Sequence, residues 1–275
     1  MFKLAAFADE ASGNLSGQIA AMKRNGVDFL EIRGVDGQNI SDISKEKAQE
    51  IHDRLKDNGL AVWSLGSPYG KIGITEDFEA HLDKYKRSIE IAHILEAQHM
   101  RIFSFYVRPE DSERYHDEVM RRLEKFVDAV HGSGIILCHE NEKGIYGDIA
   151  DRCLEIHKCI PELKAVFDPA NFIQCGQDTI KAWEMLAPYV EYMHIKDALA
   201  DGSVVPAGEG IGNLPKLLKE YQGQILTLEP HLSVFEGFDK LEKENESIKK
   251  YVYSSSDEAF DVAVSSLKNI IKALS

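Results

Sequence analysis

The sequence feature that most constrains the fold is a regular alternation of short apolar runs with longer amphipathic segments. Short apolar runs bounded by turn residues are typical of buried parallel strands, and apolar residues spaced three and four apart are typical of helices. Strands are predicted at 3–8, 27–34, 60–66, 99–106, 135–140, 164–168, 190–196 and 224–229. Helices are predicted at 14–25, 43–58, 77–96, 109–131, 148–159, 178–187, 214–221 and from 255 onward.

Eight strand–helix units predict an α/β fold, a (β/α)8 TIM barrel of eight parallel strands with surrounding helices. The 275 residues are close to the usual size of one such barrel, so we expect a single domain over 1–275. An insertion at about 232–255 follows strand eight, and its three aromatic residues are expected to cover a site or to form a subunit interface, which leaves a homo-oligomer open. An open doubly wound sheet is disfavoured because no Gly-x-Gly-x-x-Gly motif follows the first strand.

Charge and composition narrow the class of partner. The chain carries 46 acidic against 32 basic residues, a net charge of −14, which repels nucleic acid and anionic membranes at long range. No apolar run is long enough for a transmembrane helix, and the N-terminus is interpreted as a first strand rather than a signal peptide. The four cysteines form no Cys-x-x-Cys pair and indicate reduced thiols in the cytoplasm.

Four residues that can bind a metal end the last four predicted strands: Glu140, Asp168, His194 and Glu229. The C-terminal strand ends of a TIM barrel share one face, so we expect these side chains along one wall of the barrel mouth. Three carboxylates and one imidazole suit one divalent ion, Mn²⁺, Zn²⁺, Co²⁺ or Mg²⁺. Three carboxylates in one cavity would also repel one another strongly without a cation or a proton.

Each of these residues also has a structural interpretation. Asp168 precedes Pro169 and suits the cap of the next helix. His194 alone is typical of a hydrogen-bonded structural histidine. The joint pattern favours a site, because four successive strands that all end in a metal-competent residue would be an unusual coincidence.

Five stretches of the C-terminal half carry a family resemblance. In order they are CHENEKGIYGD (138–148), FDPANF (167–172), YMHIKDA (192–198), VPAGEGIGN (205–213) and LTLEPH (226–231). Together they resemble the xylose-isomerase-like TIM-barrel superfamily, specifically its sugar (phosphate) isomerase/epimerase branch, whereas residues 1–130 share only the βα rhythm. The resemblance implies a divalent-metal-dependent enzyme that acts on a small carbohydrate or polyol, with one metal ion held by the four residues above.

The resemblance also implies a mechanism. Glu140 and Glu229 would act as an acid/base pair around a metal-stabilised enediolate, one removing a proton and the other returning it from the opposite face. The same metal site could support a polyol-ketone (inosose-like) dehydratase, and a catalytically inactive sugar-binding barrel is a further alternative. A DNA-repair endonuclease of the superfamily is disfavoured, since it would need more histidines and a basic groove.

Five further residues are candidates for substrate binding: Lys196, Asn171, His231, Glu31 and Arg33. Lys196 could instead form a salt bridge inside the barrel mouth, and His231 could orient Glu229. His139 neighbours a ligand candidate on its strand and is expected to point towards the helices in a structural role. The Gly-rich stretch 201–213 lacks the Gly-Lys-Ser/Thr of a phosphate loop and is predicted to form the rim of the site. Trp63, Phe103, Phe105 and Tyr106 are expected either to line a wall under a sugar ring or to pack in the core.

Overall fold

Eight short parallel strands close into a barrel in a computed structural model of the protein, which describes residues 2–233 and 253–274. The strands are β1 (Lys3–Ala6), β2 (Phe29–Ile32), β3 (Ala61–Gly66), β4 (His99–Ile102), β5 (Ile136–Glu140), β6 (Lys164–Phe167), β7 (Val190–Ile195) and β8 (Ile225–Leu228). They follow one another around the barrel in chain order, and β1 pairs in parallel with both β2 and β8. The predicted (β/α)8 TIM barrel is therefore confirmed.

Nine α-helices lie among the described residues. They are α1 (Leu15–Asn25), α2 (Lys45–Asp57), α3 (Phe78–Ile94), α4 (Ser112–Val130), α5 (Ala150–Cys159), α6 (Pro169–Gln174), α7 (Thr179–Leu186), α8 (Leu214–Glu220) and α9 (Ser256–Leu274). The sequence predicted one helix after β6, but two form, because Asp168 caps the short α6 at Pro169 and Asp178 caps α7. Pro109 opens a single 3-10 turn ahead of α4 instead of α4 itself.

Local chemistry explains where the other helices begin and end. Asn14 Oδ1 accepts a hydrogen bond from the backbone N–H of Gly17 and thereby starts α1. Gly26 ends the same helix in the left-handed region, at φ 56°. Ser255 Oγ accepts from the backbone N–H of Glu258 at the start of α9, as the sequence predicts.

Two apolar layers hold the barrel. The larger lies between strands and helices, where Phe105 packs in stacked geometry against Phe126 and edge-on to Phe78, so Phe105 is a core residue and not a wall of the site. The smaller fills the barrel interior and consists of Ala5, Cys138, Val166, Tyr192 and Ile225, with Phe29 and Trp63 against it. As in other barrels of this kind, the interior is a packed core and not a pore.

Four further predictions concern His139, membrane-spanning helices, the cysteines and the insertion at 232–255. The ring of His139 packs edge-on against His157 of α5, with centroids 5.9 Å apart, and its Nε2 lies 3.0 Å from Ser104 Oγ, so the structural interpretation of His139 is supported. Within residues 2–233 and 253–274, no helix has the length and apolarity that crossing a membrane would require. The four cysteines are free thiols. Most of the 232–255 insertion, including its aromatic residues Phe235, Phe238 and Tyr251, lies outside the described residues.

Candidate metal centre

Four side chains from four adjacent strands meet at the C-terminal end of the barrel. Glu140 is the last residue of β5, His194 is the penultimate residue of β7, and Asp168 and Glu229 directly follow β6 and β8. One ligand atom from each lies within 4.8 Å of the others, and all four residues are buried. The parallel register of β5 to β8 therefore produces a compact set of three carboxylates and one imidazole.

The His194 ring lies between carboxylates on both sides. Its Nδ1 is 3.0 Å from Glu140 Oε1 and 3.1 Å from Glu229 Oε2, and its Nε2 is 3.1 Å from Glu31 Oε2. Burial disfavours the imidazolium, but these carboxylates outweigh it and raise the pKa of His194 well above its usual value. Nδ1 thus faces the other ligand candidates, which is the direction a metal-binding nitrogen requires.

Two of the carboxylates are held in the ionised form by neighbouring cations. Burial opposes ionisation of Glu140, but His194 and Arg101 together lower its pKa to about 2. Arg101 Nη1 lies 2.7 Å from Glu140 Oε2. Burial likewise opposes ionisation of Glu229, whose pKa is nevertheless well below the usual value because Lys196 and His194 lie beside it. At neutral pH both groups can accept a proton or bind a cation.

Asp168 combines a capping role with a place in the ligand set. Its Oδ1 accepts a hydrogen bond of 2.9 Å from the backbone N–H of Asn171 and caps α6. Its Oδ2 lies 2.9 Å from Lys196 Nζ, yet receives no well-aligned hydrogen bond from the described residues. Burial raises the pKa of Asp168 to about 6, with Lys196 opposing the shift. A buried carboxylate oxygen with a lone pair to spare, beside two ionised carboxylates and an imidazole, fits a divalent cation.

Carboxylates outnumber permanent cations around this centre. Among the described residues of the barrel mouth, six buried acids face three buried basic side chains. The acids are Asp9, Glu10, Glu31, Glu140, Asp168 and Glu229, and the bases are Arg33, Arg101 and Lys196. Uncompensated buried carboxylates are costly, so an additional cation stabilises the arrangement.

Arg33 neutralises a second acidic cluster made of Glu10, Glu229 and His231. Its guanidinium donates to Glu229 Oε1 at 3.1 Å and to Glu10 Oε1 at 3.3 Å, and it forms two hydrogen bonds with Asp9. The ring of Phe7 packs beneath it, 4.4 Å from the guanidinium carbon. Because a fixed positive charge already occupies this position, the second cluster does not call for a metal ion of its own.

The other predicted substrate contacts lie around the ligand set. Asn171 Nδ2 donates to the backbone oxygen of Asn141 at 2.9 Å and lies 3.3 Å from Glu140 Oε1. Lys196 forms the salt bridge that the sequence offered as its alternative role, and lies 3.4 Å from Glu229 Oε2. His231 Nε2 lies 3.5 Å from Glu229 Oε1, in a position to orient that carboxylate.

Arg101, Glu10 and Tyr192 belong to the same network and were not predicted. Arg101 was detectable as a charged residue inside the apolar run HMRIFSFY (99–106). Glu10 ends a 3-10 turn (Ala8–Glu10) that lies just beyond β1, and its Oε2 accepts a 2.7 Å hydrogen bond from the backbone N–H of His231. Nothing in the sequence distinguishes Tyr192 from a core aromatic, because its role depends on a contact with strand β2.

The Gly-rich rim loop is held by one carboxylate. Asp197, the second residue beyond β7, accepts backbone hydrogen bonds from Gly208 at 2.9 Å, Gly210 at 3.1 Å and Gly212 at 2.9 Å. A Cβ at Gly210 would overlap both Asp197 Oδ1 and the backbone oxygen of Ala198. The alternating glycines therefore let three amides converge on one carboxylate, which fastens the loop beside Lys196.

Comparisons with known proteins agree with this fold. A curated relative, 3-dehydroshikimate dehydratase of Bacillus anthracis, is 22% identical over 217 residues, covering 71% of this chain and 77% of the relative. A crystal structure of the IOLI protein with a bound zinc atom superposes with a TM-score of 0.76 at 15% identity, over 100% of this chain and 99% of that one. The D-psicose 3-epimerase of Clostridium cellulolyticum H10, solved with D-tagatose, gives a TM-score of 0.74 at 14% identity, over 99% of each chain.

The family assignment rests on a longer match. Residues 19–251 match the family model described as xylose isomerase-like TIM barrel, which is most of the chain. The five stretches that carry the sequence resemblance lie within this range, as do all four ligand candidates. The chain therefore belongs to the xylose isomerase-like TIM barrel family.

Proposed function

We propose that the protein is a divalent-metal-dependent isomerase or epimerase that moves a proton on a small ketose or related polyol. The observation that carries this proposal is the pair Glu140 and Glu229, both ionised, both buried and both within 3.1 Å of His194 Nδ1. Two such carboxylates can serve the two halves of a proton transfer. Mn²⁺, Zn²⁺, Co²⁺ and Mg²⁺ are all compatible with the ligand set.

In this mechanism Glu140, Asp168, His194 and Glu229 hold the metal ion. When bound, a divalent ion supplies Lewis acidity, which makes the C–H beside a substrate carbonyl more acidic. One of Glu140 and Glu229, in its ionised form, would remove that proton to leave an enediolate. The other, which must first take up a proton from solvent, would return it to the opposite face or to the neighbouring carbon. Low basicity of both carboxylates is offset by close positioning.

Neighbouring basic residues hold Glu140 and Glu229 in position. Arg101 lies against Glu140, and Arg33, Lys196 and His231 surround Glu229. These contacts fix the carboxylates in place and favour the charged form that accepts a proton. The dry, packed interior below strengthens each of these electrostatic contacts.

The curated relative gives specific support to a dehydratase as the second candidate. Elimination of water from a polyol ketone begins with the same removal of a proton beside a carbonyl. The carboxyl group that returns the proton during epimerisation would instead protonate the departing hydroxyl. The two reactions thus use the same residues and differ in the substrate that the loops admit.

Free thiols at all four cysteines suit a reducing compartment, and we place the activity in the cytoplasm.

Deuterium exchange distinguishes these candidates. Protein loaded with Mn²⁺ is incubated in D₂O with a panel of ketoses and cyclic polyol ketones, and NMR follows label at the carbon beside the carbonyl. We expect labelled epimer or isomer from the wild type, at least a 100-fold loss in Glu229→Gln, consistent with loss of a general base, and wild-type rates in Glu191→Gln. A new conjugated double bond would identify the dehydratase. Near-normal exchange in Glu229→Gln would refute the acid/base pair, and metal binding without any exchange would favour an inactive sugar-binding barrel.

A further inference from the structure

We propose that Glu31 is a positioning residue of the metal centre, which acts by fixing the orientation and the tautomer of His194. This inference rests on the proposed metal-dependent function. It replaces the expectation from the sequence that Glu31 contacts the substrate. Glu31 lies on β2, across the barrel from the four strands that carry the ligand candidates. It is not itself a member of the ligand set.

The geometry at His194 provides the first argument. An imidazole can present either nitrogen to a metal ion, and the group that faces the other nitrogen decides which one. Glu31 Oε2 lies 3.1 Å from Nε2, whereas Nδ1 faces Glu140 and Glu229 at 3.0 and 3.1 Å. When a metal ion displaces the proton from Nδ1, a carboxylate at Nε2 keeps the second proton there, so Nδ1 is the nitrogen that would bind the metal ion.

Glu31 is itself held rigidly, which provides the second argument. Its Oε1 accepts a 2.8 Å hydrogen bond from the hydroxyl of Tyr192, and that hydroxyl lies 3.3 Å from Ser64 Oγ. These residues come from β2, β3 and β7 and form part of the barrel interior. The ring of Phe7 also packs edge-on against His194, with centroids 5.3 Å apart. The imidazole therefore has little freedom to turn.

Both oxygens of Glu31 are already engaged, one by Tyr192 and one by His194, and the residue is 0% exposed. A substrate molecule would have to displace one of these partners to reach it. Of the two partners only His194 belongs to the ligand set, so the effect of Glu31 on the metal centre passes through His194.

A second histidine–carboxylate pair inside the barrel offers a control. His99 Nε2, on β4, lies 3.0 Å from Glu191 Oε1, on β7, and the two side chains are 3% and 30% exposed. This pair has the same chemistry as Glu31 and His194, but neither member belongs to the ligand set. Loss of the Glu191 charge therefore controls for loss of any one carboxylate from the barrel.

The test measures affinity for Mn²⁺ alone, by competition with a fluorescent chelator, in the wild type, Glu31→Gln, Glu191→Gln, His194→Ala and His194→Ala/Glu31→Gln. We expect Glu31→Gln to weaken binding about 10- to 100-fold. Glu191→Gln should stay within about two-fold, and Glu31→Gln in the His194→Ala background should also change affinity by no more than about two-fold. Such non-additivity shows action through His194, because a long-range effect of charge would appear in both backgrounds.

Each other result has a defined meaning. Wild-type affinity in Glu31→Gln, or equal losses in both backgrounds, overturns the positioning role. If Glu31→Gln does not fold, Tyr192→Phe decides, since it keeps the carboxylate and frees Oε1: a loss that depends on His194 supports the role and no loss overturns it. A wild type that binds no metal refutes both this inference and the proposed function. If the wild type binds metal with the predicted dependence on Glu31 but catalyses no exchange, the proposed reaction is refuted and the positioning role of Glu31 stands.

Discussion

Lys196 and Asp168 form a buried ion pair at the edge of the ligand set, with Nζ 2.9 Å from Oδ2. The exposed fractions of the two side chains are 4% and 0%. The same ammonium lies 3.4 Å from Glu229, so one fixed cation serves two of the three ligand carboxylates. Lys196 therefore lowers the repulsion that these carboxylates would otherwise suffer whenever no metal ion is bound.

Lys196→Met should accordingly destabilise the metal-free protein more than the metal-loaded one. Loss of one partner leaves buried carboxylates uncompensated, which costs about 3 kcal/mol. Saturating Mn²⁺ should recover much of this loss, because a bound divalent ion supplies positive charge at the same place. Urea denaturation with and without Mn²⁺ measures the difference.

The control for Lys196→Met is Lys45→Met, which breaks an exposed pair with Glu90 whose side chains are 58% and 56% exposed. This change should cost about 0.5 kcal/mol or less, with or without Mn²⁺. A loss in Lys196→Met that is the same in both conditions would show that the lysine stabilises the fold independently of the ligand set.

Asp168→Asn should separate the capping role of this residue from its role as a ligand. Asparagine caps helices about as well as aspartate, so the free energy of unfolding of the metal-free protein should change by about 1 kcal/mol or less. Affinity for Mn²⁺ should fall at least about tenfold, because the anionic Oδ2 is lost.

Asp178→Asn is the matched control, since Asp178 caps α7 through the backbone N–H groups of Ile180 and Lys181 and lies outside the ligand set. Its affinity for Mn²⁺ should equal that of the wild type. Unchanged metal affinity in Asp168→Asn would remove Asp168 from the ligands.

Gly210→Ala should loosen the rim loop from Asp197. The added Cβ would overlap the Asp197 carboxylate and the backbone of Ala198, which cannot both move aside, so we expect a loss of about 2 kcal/mol. Gly73→Ala is the control, because its Cβ would meet only the flexible side chain of Glu76, 2.8 Å away. Chemical denaturation of both variants decides the matter, and equal stabilities would show that the glycine spacing is not required.

Stability should fall as the pH drops below about 6.5, in part because of His157. Burial lowers the pKa of His157 from 6.5 to about 4, although its hydrogen bond to the backbone oxygen of Leu163 opposes the shift. Between these values the unfolded chain binds a proton that the folded chain does not, so protonation favours unfolding. By pH 5 this histidine costs roughly 2 kcal/mol relative to pH 7.5.

Urea denaturation at pH 7.5 and pH 5 checks this pH dependence in the wild type and in His157→Gln. The variant should lose less stability between the two pH values, by the amount that His157 contributes. Replacement of the exposed His131 by Gln is the control for loss of an imidazole side chain as such. An unchanged pH dependence in His157→Gln would contradict the assignment.

The fold was predictable because each unit of it is local. Helix α1 has its cap, its stripe of Leu15, Ile19 and Met22, and its terminal Gly26 within a dozen residues of sequence. The sequence predicted one helix after β6 where two form. Asp168 and Pro169 begin the short helix α6, and Asp178 caps α7 only ten residues later. The boundaries of strands were overestimated where polar residues continue an apolar run, as at Asp168.

The site was predictable only in part, for a physical reason. The four ligand candidates follow from strand order, because consecutive strands end on one face. Glu31 and Arg33 were expected at the cavity, yet their partners lie far away in sequence: Glu31 meets His194, and Arg33 meets Glu229. Two residues at the end of one strand therefore meet different members of the ligand set, and only the closed barrel determines which.

The packed layer inside the barrel closes off one side of the ligand set. Ala5, Cys138, Val166, Tyr192 and Ile225 fill the space beneath the ligand set and separate it from the N-terminal end of the strands. In the proposed reaction, substrate and the solvent protons that label it would therefore reach Glu140 and Glu229 from the same end of the barrel.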